Sequence, residues 1–172
     1  QPQPAERRQP AAGHQPTGAG ADLHVGPHLR FYGEIAHGGI SGDNIGTPSG
    51  SLRNDLVLLQ SFAELKGRLA GMDLGLRYGR QEFTDGPNLL TSQRDNNTIR
   101  YALNGVRAWA RTGSLRIDAF DFKPTALGNG GIDDDKVEQG RRFSGFTAGI
   151  RIPEKALGGS ELYLDPFFCL LY

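Results

Sequence analysis

The chain has 172 residues, 37% of them hydrophobic, with 25 Gly, 10 Pro and one Cys. Its 19 basic residues balance 19 acidic ones, so no global charge points to nucleic acid. The lone Cys169 excludes an internal disulfide framework and a cysteine-based zinc site. The longest apolar runs, "LVLL" at 56–59 and "FFCLLY" at 167–172, fall far below the roughly 18–20 residues a helix needs to span a bilayer.

Residues 1–20, "QPQPAERRQPAAGHQPTGAG", are rich in Pro, Ala, Gly and Gln and have no apolar centre. They read as a disordered or non-native segment of a processed or partial chain. Residues 21–172 form the folded unit. Seven strand-like segments follow, at 23–37, 56–69, 72–83, 99–112, 114–123, 142–153 and 160–171, and no stretch sustains a helical period. Most are near the ~9–11 residues that a tilted strand uses to cross a bilayer.

The connections alternate in length. "AG" (70–71), "TGS" (112–114) and "EKALGG" (154–159) are short. The segments 38–55, 84–97 and 124–140 are long. Tight turns on one side and long loops on the other are the habit of outer-membrane barrels.

Each segment also separates into two faces. One carries Leu29, Phe31 and Ile35; Val57, Leu59, Ala63 and Leu65; Leu74, Leu76 and Tyr78; and apolar residues through to Phe168. The other carries Arg30, Lys66, Arg68, Arg77, Arg107, Arg111, Arg116 and Arg151 against Glu34, Glu64, Asp118 and Asp165. In a barrel the first face meets lipid and the second lines a wet lumen, where a cation excess favours anions. The competing architecture is a soluble β-sandwich that binds a ligand, with the apolar face as its core. Pairing among the charges, serving only to keep the face hydrated, is the alternative to a functional excess. Strict alternation sends Arg80 and Glu82 to the lipid side, unless they lie above the hydrocarbon or Gly79 is a bulge that flips the register.

The fold class is therefore all-β: an antiparallel up-and-down transmembrane barrel, here incomplete at about seven strands. Seven is odd, whereas single-chain bacterial barrels have even counts, so the chain reads as the N-terminal portion of a longer porin. The alternation of Leu164, Phe168, Leu170 and Tyr172 toward an aromatic end runs against that. Pro166, inside the last segment, is expected at an edge or a bulge.

Four sequence blocks, "LGLRYGRQEF" (74–83), "QRDNNTIRYALNGVR" (93–107), "LRIDAFDFKP" (115–124) and "GGIDDD" (130–135), resemble in order and spacing the alginate export family of outer-membrane porins. Upstream, "LHVGPHLRFYGEI" and "LVLLQSFAELK" match its earlier strands, and the resemblance covers about residues 21–168. It implies a monomeric barrel of about eighteen strands in the bacterial outer membrane, inserted in the lipid bilayer by the barrel-assembly machinery. It implies a basic pore for an anionic polysaccharide, alginate or a related uronate polymer, or for a small anionic solute. Arg77, Arg80, Gln81, Arg94, Arg100 and Arg107 match its motif positions. With Arg30, Lys66, Arg111 and Arg116 they form the expected substrate pathway. Thr98 and Asn104 depart from the family pattern. Loss of a carboxylate at 104 makes the field more positive if Arg107 or Arg100 was its partner.

No enzymatic motif and no cofactor signature is present: no Gly-x-Ser-x-Gly elbow and no phosphate loop occur. His14, His24, His28 and His37 make no metal pattern. His24 and His28 share a strand face but stand about 13 Å apart in an extended strand. Asp133 and Asp135, with Asp134 between them, are weak calcium candidates without the spacing of a dedicated calcium loop. A Glu64–Asp118 glycosidase pair would need the two carboxylates brought together.

Overall fold

The computed structural model describes residues 13–41, 49–84 and 99–172. Its strands are β1 (Gly13–Val25), β2 (Leu29–Ser41), β3 (Asn54–Leu69), β4 (Met72–Gln81), β5 (Leu103–Arg111), β6 (Leu115–Ala126), β7 (Lys136–Val137), β8 (Phe143–Ile152), β9 (Leu162–Leu164) and β10 (Phe167–Leu171). They form one antiparallel sheet in the order β1-β2-β3-β4-β5-β6-β8-β10, with β7 beside β6 and β9 beside β8. Neighbours in sequence are neighbours in space, as in an up-and-down barrel. Among the described residues β1 and β10 do not pair with each other, so the sheet is not closed.

Several boundaries differ from those expected. The segment 23–37 is not one strand. Gly26 adopts φ +63° in the turn at 26–28, and β1 runs back from it to Gly13, paired with β2 from Val25↔Leu29 to Gly13↔Ser41. Its composition concealed it: "GHQPTGAGADLHV" carries little apolar alternation. Eight long strands therefore make the path, and the parity step that rested on seven does not hold.

The turn at 26–28 joins 70–71, 112–114 and the 153–161 connection at one rim of the sheet, called here the short-turn rim. The long connections all lie at the opposite, long-loop rim. β9 and β10 are two halves of one strand. Ile150↔Leu164 and Thr147↔Phe167 share a register, and the break falls at Pro166, which has no N–H to give. Pro166 O still accepts from Ala148 N–H at 2.8 Å, so the missing N–H falls on the β8 side and interrupts the ladder there.

The apolar face is the exposed one. Leu23, Phe31, Leu65, Leu76, Tyr78, Ile117, Phe146, Leu164 and Phe168 all lie open on it. The polar face is covered at its centre, where Glu64 and Asp118 are each 1% exposed, and opens toward the short-turn rim at Arg68 and Arg111. A sandwich would have the reverse, with its apolar side chains packed against a second sheet. A surface this apolar and this continuous belongs against lipid.

Val57 and Leu59 do not lie with Ala63 and Leu65 as strict alternation required. The β2–β3 register shifts between Glu34↔Gln60 and Ile35↔Leu58, leaving Leu59 as an extra residue. This bulge turns Val57 and Leu59 to the covered side, where they pack with Ile99 and Ala102 and, less buried, Ala36 and Leu127. A second cluster, Phe83, Leu103, Phe120 and Phe122, lies beside it, with Phe143 and Cys169 against it.

Candidate functional site: a banded polar face

Pairing across the sheet aligns the polar residues in rows. One row runs His24, Arg30, Glu64, Arg77, Arg107 and Phe120 from β1 to β6. Glu64 accepts a hydrogen bond from Arg77 Nε at 2.7 Å, with Lys66 Nζ at 2.8 Å and Arg30 at 3.7 Å. Asp118 accepts from Arg107 Nε at 2.8 Å and lies 3.2 Å from Arg116. Asp22 takes both Arg30 Nε and Nη2, at 2.8 and 2.9 Å. Among the described residues no carboxylate pairs with Arg111. The band thus sets six cations, Arg30, Lys66, Arg77, Arg107, Arg111 and Arg116, against three carboxylates, Asp22, Glu64 and Asp118. Toward the short-turn rim Arg68 pairs with Asp73 at 3.4 Å, and Arg151 ion-pairs with Glu161.

Aromatic rings separate these like charges. Arg77 lies 4.0 Å over Phe62 and 5.7 Å from the Trp109 ring, and Arg107 lies 5.4 Å from Trp109 and 5.2 Å from Phe83. The electron-rich faces of the rings stabilise the guanidinium groups between them. Phe62 and Phe83 were not marked by sequence reasoning. Phe62 shares the alternation of Glu64, where an apolar ring is not expected on a charged face, and Phe83 lies beyond the end of β4.

At the long-loop rim the segment 99–102 crosses the covered face as a strap instead of extending β5. Arg100 ion-pairs with Glu34 of β2, 66 residues away, and with Glu82 at 2.9 Å. Ile99 N–H donates to Ser51 O at 2.9 Å, and Thr125 N–H to Ala102 O at 3.3 Å.

The remaining expected residues fall as follows. Gln81 is fully buried, and its amide nitrogen donates to the carbonyls of Gly79 and Gly105 at 3.5 and 3.3 Å. The ladder passes Gly79 without a shift, so Gly79 is not a register-flipping bulge. Arg80 accordingly lies off the Arg77 row, at the long-loop rim, where it donates to Leu58 O at 2.9 Å and Asn104 Oδ1 at 3.1 Å and sits 3.8 Å from Asp135. Asn104 is therefore a partner of Arg80, and not of Arg107 or Arg100. Arg94 and Thr98 lie outside the described residues.

Asp134 and Asp135 turn inward to their own loop. Asp134 Oδ2 accepts from Gly130 N–H at 2.7 Å and Asp135 Oδ1 from Gly128 N–H at 3.1 Å, while Asp133 is exposed. Among the described residues no three His, Cys, Asp or Glu converge as a metal site.

A sequential antiparallel sheet with an exposed apolar face and a charged, covered face defines a segment of an outer-membrane β-barrel of the porin kind. The chain matches the family model "Alginate export" over residues 20–157 and belongs to that family. Its class is therefore that of outer-membrane, porin-like alginate export proteins, a family of transport proteins and not of enzymes. No curated protein and no solved structure matches the chain.

Proposed function

We propose that the polar face is the wall of a pathway for anions, through which an anionic polysaccharide, alginate or a related uronate polymer, or a smaller anionic solute moves. The observation that carries this is the central band of Arg30, Lys66, Arg77, Arg107, Arg111 and Arg116, in which Glu64 and Asp118 are each shared by more than one cation and Arg111 pairs with no carboxylate among the described residues. Surplus positive charge along a pore wall raises the local concentration of anions and repels cations. Transport needs no covalent step, and the face carries no cofactor in this reading. The lipid bilayer of the bacterial outer membrane covers the apolar face, the barrel-assembly machinery inserts it, and the closed barrel acts as a monomer.

The test is ion selectivity in planar bilayers for the protein purified from outer membranes. Arg111 and Arg68 are exposed at the short-turn rim and touch no buried carboxylate among the described residues, so Arg111→Glu with Arg68→Glu is the least disruptive reversal. The expected result is a fall in the chloride-to-potassium permeability ratio. An unchanged ratio ends the assignment.

A further inference from the structure

The chain has one tryptophan, Trp109. Barrel proteins place aromatic girdles on the lipid side at the membrane interfaces. Trp109 is on the opposite, charged face, in the row that pairs Gly75 with it on one side and Asp118 on the other. Its indole lies directly over Gly75: a Cβ there would stand 2.0 and 2.1 Å from Cζ2 and Cε2 of the ring. A glycine is what lets the ring settle on the strand. Trp109 also lines a cleft of about 290 Å³ at the short-turn rim, with His28, Lys66, Arg68 and Asp73. That volume is at the small end of ligand cavities.

The charges around the cleft differ in how far they are engaged: the one carboxylate in its lining, Asp73, is opposite Arg111 in the ladder and pairs with Arg68 at 3.4 Å. Arg77 and Arg107 are committed to Glu64 and Asp118. Arg111, whose guanidinium is 5.9 Å from the Trp109 ring centre, has no carboxylate among the described residues and is exposed. Lys66 shares the buried Glu64 and keeps 45% of its side-chain surface open.

We propose that Trp109 is a stacking platform for one uronate ring at the short-turn mouth of the pathway, with Arg111 and Lys66 receiving the sugar carboxylate; this rests on the anion-pathway reading above. A pyranose ring presents a face of C–H groups that suits the electron-rich face of an indole. A uronate adds a carboxylate that a guanidinium binds in fork geometry. Neither a neutral sugar nor a ringless polyanion satisfies both halves of the site.

The experiment uses the native protein in detergent and in planar bilayers, with three probes: an oligomannuronate, a neutral maltooligosaccharide of equal length and polyglutamate. Indole emission is read as the difference from Trp109→Phe. The expected result is a saturable change with the oligomannuronate alone, at concentrations that also block the current. Trp109→Leu should raise the half-blocking concentration about tenfold. Trp109→Phe should retain most of the block. Gly75→Ala, which displaces the ring while keeping the indole, should weaken block as Trp109→Leu does. An oligomannuronate block equal in native protein and Trp109→Leu overturns the proposal, and so does an equal indole response to polyglutamate. Chloride preference without an indole response sinks this inference alone; absence of any anion preference removes the pathway reading beneath it.

Discussion

Arg77 and Glu64 face each other across the β3–β4 ladder, and the carboxylate is 1% exposed while its guanidinium partner also rests on Phe62. One buried anion here holds Arg77, Lys66 and Arg30 together. Glu64→Gln should therefore act in two directions at once. Stability should fall by about 3 kcal/mol, the lower end for breaking a buried pair, because Lys66 keeps contact with water. Anion preference should rise, because the band then holds six cations against two carboxylates. The temperature at which the folded band is lost on unboiled gels and the reversal potential in a salt gradient check the two halves separately.

Gly79 and Gly105 are directly paired, with φ +133° and +154°. A Cβ at Gly79 would lie 2.2 Å from Ser61 O, and one at Gly105 2.0 Å from Asp121 O. Their carbonyls receive the Gln81 amide. Alanine at either position should cost at least ~1–3 kcal/mol in backbone strain alone, before the clash. Assembly into a heat-modifiable form should drop sharply for both variants. Gly67→Ala, with nothing within 4 Å of its Cβ, is the control that should assemble normally.

The strap at 99–102 is held by Arg100 and by Ile99 and Ala102 packed on Val57 and Leu59, while Phe83 anchors the neighbouring cluster with Leu103. Phe83 is 6% exposed and packs 4.7 Å from Phe120 and 5.2 Å from Phe122. Phe83→Ala should destabilise by about 3 kcal/mol, as buried Phe truncations do. Arg100→Ala should leave Glu34 and Glu82 without their shared cation and free the strap from β2. Single-channel conductance should increase in Arg100→Ala, where the strap is released. The exposed Arg53→Ala should change nothing, since its partner Asp55 is 3.9 Å away and both are open to water.

The sheet was legible in the sequence because its alternation is dictated by two solvents, lipid on one side and a wet charged face on the other. Arg30, Arg77, Arg107, Arg111 and Arg116 fall on one side of the sheet by that rule alone. What alternation could not show was where it breaks. The Leu59 bulge moves Val57 and Leu59 to the covered side, and no residue type at 59 announces a bulge. β1 was missed because a Gly- and polar-rich edge strand lacks the apolar period on which recognition depends. The strap was read as the start of β5, since "TIRYAL" alternates well enough for a strand. Arg100's partner, Glu34, lies in a different hairpin, a long-range pairing that no local pattern encodes.

That shared guanidinium gives the strap a pH dependence with a definite sign. Burial raises the pKa of Glu82 above its ordinary value of 4.5; Arg100 opposes the shift and the Glu34 carboxylate adds to it. One cation between two carboxylates does not offset the loss of water around Glu82. The docked strap therefore binds the Glu82 proton more tightly than a released one. Its docking is strongest below the ordinary carboxylate range, weakens as pH rises through the raised value and is constant above it. Hydrogen exchange at the Ile99 amide, corrected for intrinsic rate at each pH, reports this directly, because that N–H is bonded to Ser51 O only when the strap is down. Protection should fall across that window in the native protein and stay level in Glu82→Gln, which is neutral throughout. A level native profile, or a fall that persists in Glu82→Gln, would show that another group controls the strap.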